Sequence, residues 1–144
     1  MIGLDDLYQE ILLEHYKQPH NLKNLKREAD LSIHENPSCG DSTRILVGCR
    51  EGKFVENIYH DTKGCAISVA SASLMTIFLA NQSFEKVLEN ISLFLKIMRR
   101  EEKPDILESW GDLICLAGVI QYPLRVKCAT LAWHALQEAL LQGE

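Results

Sequence analysis

The sequence predicts an α+β fold, a small antiparallel sheet covered by helices, and three observations carry that prediction. Two strand-like stretches, Arg44–Cys49 and Phe54–His60, flank a Glu51-Gly52 turn. Apolar residues recur at helical spacing before and after them, with the longer helical runs in the second half of the chain. A chain of 144 residues, 47% of them apolar, is long enough for a core and has the size of one domain, residues 1–144.

The first helix is expected over residues 4–16. Leu4, Leu7, Tyr8, Ile11 and Leu12 lie on one face, and Pro19 stops the pattern. Leu31-Ser32-Ile33 opens a short alternating stretch that runs into Asn36-Pro37-Ser38-Cys39-Gly40-Asp41, where Asn-Pro and Gly mark a loop. The hairpin follows. After Gly64-Cys65 the residues become small and apolar, predicting a tightly packed helix that ends near Ala80. Ser83 reads as the N-cap of the next helix, whose Val87, Leu88, Ile91, Phe94 and Leu95 share a face. Arg99-Arg100-Glu101-Glu102-Lys103 mixes signs before Pro104 and reads as a solvated helix end. Pro123 precedes a last helix with Cys128, Leu131, Ala132, Ala135, Leu136, Ala139 and Leu140 on its buried stripe.

Charge and hydropathy narrow the function classes. A formal charge of −5 leaves no generally basic surface for a phosphate backbone, so nucleic acid is not an expected partner. No run approaches the ~18 apolar residues of a membrane helix. Acids at Asp5 and Asp6 stand where a secretory signal carries lysines, so a cytoplasmic location is expected.

Five cysteines in a reducing compartment are not a disulfide framework, which leaves metal binding, catalysis or packing. Cys39 lies in a turn with only Gly40 between it and Asp41. Cys65 opens a helix, and Cys128 is expected in the first turn of the last one. A helix N-terminus favours thiolate over thiol, the form that binds metal or attacks sulfur. The intervals between these thiols are far too long for a zinc-finger pair, so spacing leaves packing and a shared site both open. Cys49 and Cys115 sit in apolar runs and read as small hydrophobes. His15, His20, His34, His60 and His134 read as solvated or hydrogen-bonded rather than as ligands.

Three blocks in order carry a resemblance: Asn36–Asp41; Gly64-Cys65-Ala66-Ile67-Ser68 with Ala70-Ser71-Ala72-Ser73; and Arg125-Val126-Lys127-Cys128-Ala129-Thr130-Leu131-Ala132-Trp133. They are similar to the motifs of the IscU/NifU-N family of iron–sulfur cluster assembly proteins. Lys127 stands where IscU scaffolds carry a histidine, and the gap between the second and third cysteines is longer. Both features resemble the SufU branch. The resemblance implies a three-stranded sheet with helices around it. It also implies a zinc-dependent sulfurtransferase that accepts persulfide sulfur from a SufS-type cysteine desulfurase, among other iron–sulfur assembly proteins as partners. Cys39, Asp41, Cys65 and Cys128 would then hold Zn2+ in a closed tetrahedral shell. Cys39, on the Gly40 loop, would accept sulfur, and Arg125 would steady the released thiolate or meet the desulfurase. The alternative is an IscU-like scaffold that holds a [2Fe–2S] cluster on the same thiols.

Overall fold

The computed structural model describes residues 4–28, 31–36 and 40–142; Cys39, with Pro37 and Ser38, lies outside them. Helix α1 (Leu4–Lys17) runs one residue beyond the expected end and packs Tyr8, Ile11 and Leu12 against the core. Strand β1 (His34–Asn36) then pairs antiparallel with β2 (Asp41–Thr43), setting Asn36 opposite Asp41. The ends of the stretch read as a loop therefore belong to a two-stranded ladder, whereas Leu31–Ile33 is not strand.

The main sheet begins with β3 (Ile45–Arg50) and β4 (Phe54–His60), antiparallel, with a bulge between Gly48 and Cys49. Their turn has positive φ at both Glu51 (56°) and Gly52 (66°), closed by Lys53 N–H donating to the Arg50 carbonyl at 3.0 Å. Two positive-φ residues give a turn the twist that antiparallel strands need. The third strand, β5 (Gln82–Ser83), pairs with β4 and completes the order β3-β4-β5. The sequence marks Ser83 as a cap, and it has both roles: its hydroxyl accepts the Lys86 N–H at 3.2 Å at the start of α3 (Phe84–Met98).

Helix α2 (Ala66–Leu79) packs between α1 and α4 (Pro123–Leu141). The small side chains at Ala70, Ser71 and Ala72 are fully buried and let α4 come close. There the Trp133 indole stacks on Phe94 with centroids 3.8 Å apart, and its N–H donates to Ser71 Oγ at 3.0 Å. Ser71 in turn donates to the Ala129 carbonyl at 2.5 Å. The middle of α4 is apolar and buried on more than the predicted stripe, since Trp133 lies off that stripe with no exposed surface. Between α3 and α4, two 3₁₀ segments, Pro104–Ser109 and Gly111–Gln121, carry buried Leu107, Leu113 and Leu116 into the same core. No helix among the described residues is long and apolar enough to cross a membrane.

Candidate metal centre

The edge of β2, the start of α2 and the N-terminal half of α4 converge on one point. Asp41, the first residue of β2, is almost wholly buried. A buried carboxylate needs donors or a cation, and two protein donors are in place. The Cys65 backbone N–H donates to Oδ1 at 2.9 Å, and Ser68 Oγ donates to Oδ2 at 2.6 Å. Cys65 is the N-cap of α2 and makes no side-chain cap of its own. Asp41 supplies a carboxylate to the helix start from a distant strand, where the positive end of the helix favours it.

Cys65 Sγ lies 3.9 Å from Asp41 Oδ2 and 3.5 Å from Ser68 Oγ. Cys128 comes in from α4, buried, with its Sγ accepting from Asn36 Nδ2 at 3.8 Å and donating to the Leu124 carbonyl at 3.8 Å. Asn36 is opposite Asp41 in the ladder, so the β1–β2 hairpin touches both flanks of the site. Cys128 stands beyond the first turn of α4, because the helix begins at Pro123 rather than after it. That corrects the expectation of a thiol in the first turn of the last helix.

One ligand atom each from Asp41, Cys65 and Cys128 lie within 4.8 Å of one another. Donors around a tetrahedral zinc with bonds of ~2.0–2.3 Å stand roughly 3.5–3.8 Å apart, so a small closure brings these three into range. The donor set fits: thiolate and carboxylate suit zinc, and thiolates also suit iron–sulfur clusters. Cys39 is two residues before Asp41 in sequence and lies outside the described residues.

The remaining thiols are elsewhere. Cys49 is half-buried on β3, and Cys115 is buried in the second 3₁₀ segment, where burial and then the Asp112 charge push its pKa up to about 12. A thiol held neutral in this way is inert packing. Three of the histidines are committed to hydrogen bonds of their own. His15 Nδ1 bonds Ser73 Oγ at 2.8 Å, His34 Nε2 meets Glu138 at 2.6 Å, and buried His60 bonds Thr62 and the His20 carbonyl. Arg125, in the first turn of α4, lines a cavity of about 700 Å³ with Tyr8, Ile67, Val119 and Tyr122. The cavity also takes in Ala66, which follows Cys65 in the chain.

Three residues at the site escaped the sequence reading of individual side chains. Ser68 and Asn36 stand in the motif blocks but carry no distinctive spacing of their own. Gly64 matters through its backbone, which is pressed against Asp41.

Known proteins share this architecture. The chain is 36% identical over 142 residues to the zinc-dependent sulfurtransferase SufU of Bacillus subtilis, covering 99% of this chain and 95% of that protein. It is 37% identical over 137 residues to the iron–sulfur cluster assembly scaffold protein IscU of Streptococcus pyogenes serotype M1, covering 95% and 84%. The crystal structure of a proposed iron–sulfur cluster assembly scaffold for the SUF system from Fervidobacterium islandicum superposes with a TM-score of 0.76 at 27% identity, covering 96% of this chain and 99% of that one. Residues 7–142 match the NifU-like N terminal domain, and the chain therefore belongs to the NifU-like N-terminal domain family.

Proposed function

We propose that this protein is a zinc-dependent sulfurtransferase of iron–sulfur cluster assembly, working in the cytoplasm and receiving sulfur from a SufS-type cysteine desulfurase. The observation that carries the reading is the convergence of Asp41, Cys65 and Cys128 in a chain 36% identical to a zinc-dependent sulfurtransferase. Cys39 would complete the ligand set. Zinc, when bound, holds thiols deprotonated at neutral pH without redox activity of its own.

The chain's own residues divide the work. Asp41 is fixed by the Cys65 N–H and Ser68, and Cys65 and Cys128 are anchored on helices. Cys39 is the acceptor: its thiolate attacks the terminal sulfur of the donor's persulfide, the donor's sulfur–sulfur bond breaks, and the donor cysteine leaves as thiolate. Cys39 then carries the persulfide. Arg125, three residues before Cys128 in α4, supplies positive charge toward the released thiolate or the partner.

The test incubates protein, desulfurase and cysteine without reductant and maps added sulfur by mass spectrometry. Persulfide on Cys39 is expected. Persulfide only on Cys65 or Cys128 overturns the acceptor assignment. The 37% identity to an IscU scaffold favours a second reading, in which the same thiols hold a [2Fe–2S] cluster. Anaerobically purified protein separates the two: zinc without colour, or iron with a brown chromophore.

A further inference from the structure

Beside the candidate centre, hydrogen bonds between separate segments gather three cations. Ser42 and Lys63 exchange both backbone hydrogen bonds at 2.8 Å. Arg44 and Asp61 exchange theirs at 3.3 and 2.9 Å, and the Leu25 N–H donates to Asp61 Oδ2 at 3.0 Å. These ties set Lys26, Arg44 and Lys63 on one strip, Lys26 and Lys63 exposed and Arg44 half-buried. The strip adjoins the centre through the chain itself, because Ser42 follows Asp41 and Lys63 is two residues before Cys65.

The cations repel one another. Asp61 is buried and committed to the Leu25 N–H, so it offsets little of the outward-facing charge. Among the described residues none of the three cations has an ion pair. Three cations side by side on a hydrogen-bonded frame stand out in a chain whose net charge is −5.

We propose that Lys26, Arg44 and Lys63 form a docking strip for an acidic surface of the protein that delivers sulfur to the metal centre. The inference rests on the sulfurtransferase reading. A chain that is acidic as a whole repels an acidic partner everywhere except at such a strip, so the strip sets orientation as well as encounter rate. A partner docked on the strip is held against segments continuous in the chain with Asp41 and Cys65.

The test uses full-length zinc-loaded protein carrying a fluorophore, titrated with a SufS-type desulfurase. Binding is read by anisotropy, and sulfur transfer is read separately. Lys26→Glu/Arg44→Glu/Lys63→Glu is expected to raise the half-saturating concentration at least about tenfold near 0.05 M salt. At roughly 0.5 M salt, where screening is short-ranged, the difference should shrink to about twofold. Lys26→Arg/Lys63→Arg should bind as the wild type does, and all variants should keep zinc and melting temperature. Transfer by the wild type with binding unchanged in the charge-reversed protein overturns the strip and leaves the sulfurtransferase reading standing. Salt-sensitive binding lost on charge reversal, without transfer by the wild type, overturns that reading and with it the sulfur-delivering partner, leaving only an acidic docking surface. No binding by the wild type overturns both. Binding of a labelled single-stranded oligonucleotide that the charge-reversed protein loses overturns the acidic-protein assignment in favour of nucleic acid.

Discussion

Gly64 and Asp41 are in direct contact at the candidate metal centre. A Cβ on Gly64 would stand 2.7 Å from Asp41 Cγ and 2.9 Å from its Cα, distances no side chain tolerates. The Gly64 φ of +143° is also a conformation L-residues rarely adopt. The glycine lets the chain pass close enough for the Cys65 N–H to reach the carboxylate.

Gly64→Ala is therefore expected to displace Asp41 and strain the backbone. A cost of about 1–3 kcal/mol for the backbone alone corresponds to a melting temperature lower by roughly 3–10 °C. Zinc content should fall with it. Calorimetry and metal analysis on the same preparation check this, and an unchanged melting temperature contradicts it.

Ser68→Ala removes the 2.6 Å hydrogen bond to Asp41 and leaves the fold otherwise intact. Supporting groups of this kind are worth about 10–100-fold in metal affinity. Competition with a chelator of known affinity should show a loss of that size, and Ser68→Thr, which keeps the hydroxyl, should recover part of it.

Cys39→Ser, Cys65→Ser and Cys128→Ser should each lose metal and stability together, since structural zinc binding is coupled to folding. Cys49→Ser and Cys115→Ser should retain metal. The buried Cys115 site should still cost about 1–3 kcal/mol for an added hydroxyl. Metal stripped by Cys49→Ser but not by Cys65→Ser would reverse the assignment.

His60 should make stability pH-dependent. Burial holds its pKa at about 4, below the ordinary 6.5, so the unfolded chain takes up a proton that the folded one refuses. Its contribution is complete above pH 6.5 and is lost as pH falls toward 4. The shift is worth about 3 kcal/mol at most. Denaturation midpoints of zinc-free protein from pH 7 to 4.5 should fall more steeply for wild type than for His60→Gln.

Local chemistry made much of the fold legible. The α1 stripe, the Glu51-Gly52 turn and the Ser83 cap each depend on residues within a few positions of one another. The two-residue strand β5 was not legible as strand, because it exists only through pairing with Phe54 and Val55. Cys128 was misplaced by part of a turn because Pro123 serves as the first residue of α4, where its missing N–H costs nothing.

By itself the sequence determined the α+β class, the helical faces and, through three motif blocks, the candidate donors. The closure of the site was decided by tertiary structure. Asp41 reaches Cys65 across 24 residues and Asn36 reaches Cys128 across 92, contacts that follow from how β2, α2 and α4 pack. The same holds for the strip of Lys26, Arg44 and Lys63, whose proximity comes from backbone pairing and the Leu25–Asp61 hydrogen bond between distant segments. Periodicity specifies which face of an element is buried. Only packing determines which buried faces meet.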